Sequence, residues 1–158
     1  MSLPPLPMPA YLRLIRASAV YDMAQILPFA TPWTFALLYA QLSRLNVWMG
    51  AAPLPPFETV HFLLATLLGT LVLTWTSCRL AMPSVRLGRF DATARLAFAF
   101  WIGWAMLAAD MPMLWIFLVP EIVWGCAQWW PVAVHAGGSS AARAALTRAA
   151  PMRSSRGG

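Results

Sequence analysis

The chain has 158 residues, 60% of them apolar and only 10% charged, with 14 prolines and nine tryptophans. A soluble domain of this size carries about a quarter charged residues, so the composition is that of a polytopic membrane protein with no room for a separate soluble domain. Eleven arginines, no lysine and five acids give the net charge of +6; because the arginines flank apolar segments, they read as topology signals and anionic-lipid contacts, not as a nucleic-acid surface.

The opening "MSLPPLPMPA" lacks the basic region and unbroken apolar core of a signal peptide. Residues 1–16 are therefore read as a proline-rich cytoplasmic tail. Crossing a hydrocarbon core of about 30 Å takes about 20 helical residues, and four segments meet that need: 17–42, 60–80, 92–109 and 113–132. The third is the weakest, since it requires Arg95 to snorkel toward the headgroups. The "ADMPM" break after it favours a tight hairpin, with Asp110 capping a new helix and Pro112 in its first turn.

The predicted fold is thus all-α, a four-helix membrane bundle over 17–132, with a basic tail over 133–158 expected to be disordered. Arg13 and Arg16 precede the first span, Arg79, Arg86, Arg89 and Arg95 surround the second connection, and four more arginines lie in the tail. Only Arg44 falls on the opposite side. Positive residues inside place both termini in the cytoplasm. Arginine without lysine, with abundant alanine, is the usage of a GC-rich genome and points to a bacterial inner membrane.

Acids at bilayer depth are costly and usually face a bundle interior. Glu121, in "FLVPEIVWG", sits near the middle of the fourth span, beside Pro120, which cannot donate to the carbonyl of Ile116. Gly125 and Gln128 follow it at helical spacing. In the first span Ser18, Asp22 and Gln25 repeat that spacing, and antiparallel packing would set Asp22 near Gln128 and Gln25 near Glu121. Thr66, Thr70 and Thr74 form a third row; the simpler reading is that they bond their own helix, and Thr70 is the ligand candidate among them. Asp91 and Arg95 pair most simply at i,i+4 on the cytoplasmic surface, with Arg95 to Asp22 the alternative. The ligand-binding candidates are therefore Glu121, Gln128, Gly125, Asp22, Gln25 and Thr70. Whether they form a pocket or only fix helix packing stays open.

"YDMAQILPFA" at Tyr21 and "FDATARLAFA" at Phe90 share an aromatic-Asp pair followed by Leu, Phe and Ala at equal offsets. The echo suggests two hairpins related by an axis along the membrane normal, although spans two and four do not align with conviction. The third-span "FAFWIGW" offers aromatic faces to a cationic or apolar ligand.

Glu58 and His61 have the Glu-x-x-His spacing, but once only, where di-iron bundles use it twice with two further glutamates. Cys78 and Cys126 read as small apolar fillers. No phosphate loop, nucleophile elbow or zinc-spaced cysteine pair is present, so no catalytic residue, metal or cofactor is assigned. The expected function is non-enzymatic: binding an apolar or lipid-like small molecule, or serving as an accessory subunit or homo-oligomer among membrane lipids. The alternative is a membrane enzyme that moves protons on an apolar substrate with Glu121 and Asp22.

Overall fold

The computed structural model describes residues 3–133, and every regular element in that range is a helix. The helices are α1 (Met8–Ile26), α2 (Pro32–Trp48), α3 (Thr59–Ala81), α4 (Val85–Ala109) and α5 (Trp115–Gln128), with short 3₁₀ turns at Leu27–Ala30 and Pro112–Leu114. The basic tail lies outside the described residues except for Ala133.

Two expectations change. The first span is not one helix, and α1 begins at Met8 instead of Ala17. Pro28 and Pro32 have no amide hydrogens, so a continuous helix would leave carbonyls without donors where they stand. The chain resolves this with the 3₁₀ turn: Thr34 Oγ1 donates to the Pro28 carbonyl at 2.7 Å, the place a residue-32 amide would fill, and Thr31 Oγ1 caps α2 by accepting from the Thr34 amide at 3.2 Å. Asp110 does not cap a new helix. It ends α4 in the left-handed region at φ 48°, and Pro112 opens the 3₁₀ turn that leads into α5.

The remaining ends follow ordinary capping chemistry. Ser84 Oγ accepts from the Leu87 amide at 3.2 Å and starts α4. His61 Nδ1 accepts from the Glu58 amide at 3.0 Å and closes the first turn of α3, which gives the Glu-x-x-His pair a structural use.

α1 packs on α3, and α4 packs on α5, while α1 also touches α4 and α5. α3 and α4 scarcely touch beyond the turn that joins them. α3 also closes on the 3₁₀ turn after α1 at Gly69: a Cβ there would lie 2.5 Å from the Phe29 carbonyl oxygen. At the far end, the C-terminal half of α2 covers the turn before α5. Asn46 Nδ2 donates to the Ala52 carbonyl at 2.8 Å, and Asn46 Oδ1 accepts from the Met113 amide at 3.4 Å.

Burial is inverted relative to a soluble bundle. Ser18, Thr76, Arg79, Asp91, Arg95 and Gln128 are buried, while Leu64, Leu67, Trp104, Leu107, Val119 and Val123 are exposed. α3 and α4 are long and apolar enough to cross a membrane. An apolar exterior of this extent needs an apolar surrounding.

The Gly69 contact leaves no room for a methyl group, so Gly69→Ala is expected to destabilise the protein by about 1–3 kcal/mol. Gly103, with nothing within 4 Å of its would-be Cβ, should tolerate alanine. Thermal unfolding of both variants in detergent checks the contrast.

Candidate functional site

The site is built around one side chain. Arg79, near the C-terminal end of α3, is the largest fully buried side chain in the described structure. Its Nη1 donates to Asp91 Oδ2 at 2.5 Å and to Ser18 Oγ at 3.3 Å, and its Nη2 is paired with Asp22 Oδ2. Arg95, from α4, completes the cluster: Nη2 reaches Asp22 Oδ2 at 2.5 Å, Nε reaches Asp91 Oδ2 at 3.1 Å, and Nη1 reaches Glu121 Oε2 at 3.0 Å. Four helices therefore contribute to one charge network.

Neutral donors extend it. Trp75 Nε1 donates to Asp91 Oδ1 at 2.9 Å, and Gln128 Nε2 donates to Asp91 Oδ2 at 2.8 Å and Ser18 Oγ at 2.7 Å. Below it, the end of α5 is held by α1, α4 and the N-terminal segment. Tyr11 Oη and Arg89 Nη1 both donate to the Gln128 carbonyl, at 2.7 and 3.0 Å, and Leu6 exchanges backbone hydrogen bonds with Pro131 and Ala133.

Above the network lies a cavity of about 780 Å³. Its floor is Asp22, Gln25, Arg79, Asp91, Arg95 and Glu121. Its walls are apolar, chiefly Phe29, Leu68, Val72, Phe98, Trp101 and Phe117. Concave apolar walls with a few convergent polar groups are the usual make-up of a small-molecule site, and the volume falls within the roughly 300–1,000 Å³ such sites span.

The two halves of the chain present matching positions to this space. Asp22, Gln25, Ile26 and Phe29 from α1 and its following turn line it, as do Asp91, Ala94, Arg95 and Phe98 at the same spacing in α4. These are the positions of the sequence echo. α3 and α5 match as well: Leu68 and Phe117, and Val72 and Glu121, sit at equal distances before Arg79 and Gln128, and each of these last two binds the Asp of its own half. Each half also reaches across with a tryptophan, Trp75 bonding Asp91 of the second half and Trp124 packing on Tyr21 of the first at 5.9 Å. The residue chemistry differs at Gln25 and Ala94, Ile26 and Arg95, Val72 and Glu121, and Arg79 and Gln128; of these, Arg95 and Glu121 pair with each other.

The sequence-derived candidates separate accordingly. Glu121, Asp22 and Gln25 line the cavity. Gln128 and Gly125 are buried beside the network but do not line it; Gly125 lies against the Cβ of Arg95, where its own Cβ would be 3.6 Å away. Thr70 is exposed and donates to the Thr66 carbonyl at 2.9 Å, and Thr66 and Thr74 bond back in the same way. Arg95 does not snorkel; it turns inward and makes both pairings considered for it, to Asp91 and to Asp22. Arg79, expected at the cytoplasmic boundary, is the centre of the site.

Comparison with known proteins finds no matching family model, no similar curated protein and no similar solved structure. The functional reading therefore rests on this geometry.

Arg79→Met would leave Asp22 and Asp91 short of a counter-charge, and breaking a buried pair from one side costs about 3–5 kcal/mol. Thermal unfolding should register that loss, and adding Asp22→Asn with Asp91→Asn should recover much of it. An unchanged melting temperature for Arg79→Met would contradict the buried network.

Proposed function

We propose that this is a small, non-enzymatic four-span protein of a bacterial inner membrane that binds an apolar or lipid-like small molecule between its two halves. In this reading α1 with the turn and start of α2 makes the first span, α3 and α4 the second and third, and the short α5 with its preceding turn the fourth. Both termini then face the cytoplasm, a reading supported by Arg13, Arg16 and Arg86, which stay at that end even though Arg79 and Arg95 are withdrawn from the charge bias.

The observation that carries the reading is the cavity of about 780 Å³ with apolar walls and a charged floor. An accessory subunit would hold the Glu121, Gly125 and Gln128 stripe ready on its outer face. Here Gly125 and Gln128 are buried and Glu121 is paired with Arg95, which favours a ligand over a protein partner at this seam. The enzyme alternative has less support, because Asp22 and Glu121 are both engaged by the same guanidinium, an arrangement that holds charge in place.

The cavity also has an entrance suited to a molecule dissolved in lipid. Leu68 and Leu71 of α3 and Phe98 and Trp101 of α4 line it and are exposed on the outside as well. The seam where α3 and α4 diverge therefore opens sideways.

Val72→Phe adds a ring inside the cavity without touching any ion pair. It should remove co-purifying small molecules seen by native mass spectrometry of the wild-type protein, with little change in melting temperature. Identical bound mass in both proteins would count against the cavity as the binding site. Reporter fusions to the C-terminus should be active on the cytoplasmic side; a periplasmic C-terminus would rule out four spans.

A further inference from the structure

The ion pairs do not balance the charge on the cavity floor. Asp22, Asp91 and Glu121 meet only Arg79 and Arg95, so the cluster keeps one formal negative charge in excess. Arg89, in the same helix as Asp91 and Arg95, is turned to the end of α5. There it donates to the carbonyls of Gln128 and Trp130 at 3.0 Å each, which satisfies helix-terminal acceptors, and it does not line the cavity.

The hydrogen-bond inventory leans the same way. Asp22 takes both guanidinium contacts on Oδ2, and Glu121 takes its one contact on Oε2. Among the described residues nothing donates to Asp22 Oδ1 or Glu121 Oε1. Gln25, one turn beyond Asp22 on the same face of α1, carries a buried Oε1 with no partner. All three residues line the cavity. Asp22 and Glu121 are also neighbours, since Arg95 holds Asp22 at 2.5 Å and Glu121 at 3.0 Å with its two terminal nitrogens. Arg79 Nε is a buried donor without a partner, and among the described residues the Gln25 amide nitrogen and Trp101 Nε1 of the lining make no hydrogen bond either.

We infer that the cavity takes an amphiphile whose head is a protonated amine. This rests on the reading of the cavity as a ligand site and specifies its chemistry. A primary ammonium has three donors and no acceptor, which matches Asp22 Oδ1, Gln25 Oε1 and Glu121 Oε1, and its charge cancels the excess on the floor. Where water is excluded, that cancellation separates it from other heads: a hydroxyl leaves the excess in place, and a carboxylate enlarges it. The aromatic walls at Trp75, Phe98 and Trp101 tolerate a cation at their faces, and the tail lies among Phe29, Leu68 and Phe117.

The test uses the full-length protein in nanodiscs of zwitterionic lipid, with dodecylamine, dodecanol and dodecanoate as probes at submicellar concentration. Binding is read as tryptophan fluorescence change above that of empty nanodiscs and of the Val72→Phe protein. The expected result is dodecylammonium binding at least tenfold tighter than either other probe. Glu121→Gln keeps a hydrogen-bonding group opposite Arg95 while removing the excess charge, and should bring the amine down to the level of the alcohol. Gln25→Leu leaves every ion pair in place and should weaken the amine by about tenfold through loss of one charge-assisted hydrogen bond. Equal binding of alcohol and amine, or preference for the carboxylate, would overturn the ammonium assignment while leaving the cavity a ligand site. Binding of none of the three above the controls would overturn both.

Discussion

Two aspartates from different halves of the chain share one buried arginine. Asp22 and Asp91 both pair with Arg79, whose side chain has no exposure to solvent. Taking such groups out of water costs several kcal/mol per ion unless partners replace the lost hydration, so the surrounding structure is committed to supplying them. Arg95, Ser18, Trp75 and Gln128 all do so. The network needs α1, α3, α4 and α5 in register at one level, and this requirement sets the bundle. In the proposed membrane setting hydrophobic burial would not join the helices, and hydrogen bonds between charged groups would supply the specificity instead.

The cavity is a consequence of the same arrangement. Ion pairs pull the halves together at one level, and α2 with the turn before α5 closes the far end, so α3 and α4 are joined near their turn and diverge beyond it. What lies between is lined by residues at similar spacing in the two halves. The Arg95–Glu121 pair, together with the single Arg79 for two aspartates, leaves acceptors and a negative charge facing the space.

Much of this was legible in the sequence. Length and apolarity placed the helices α3 to α5 to within a few residues at most ends, and helical spacing singled out Asp22, Gln25, Glu121 and Gln128 as inward-facing. The break in the first span is signalled by Pro28 and Pro32, but proline position alone does not say that Thr34 will replace the missing donor. Arg79 was missed because an arginine at the end of an apolar segment ordinarily marks a boundary. Charge balance holds a clue, since Asp22 and Glu121 are expected at depth with no buried cation of their own. The hairpin repeat was half legible, since α1 and α4 keep its aromatic-Asp signature, whereas α3 and α5 share only geometry and a tryptophan one turn before Arg79 or Gln128.

The central claim is that the Arg79 network, more than the covalent turn at Met82–Ser84, holds the halves together. Expressing residues 1–83 and 84–158 as two chains in one cell tests it, with co-purification through a tag on one fragment as the measurement. The account predicts that the wild-type fragments purify as a stoichiometric pair and that Arg79→Met abolishes the pairing. Fragments that pair equally well with and without Arg79 would contradict it.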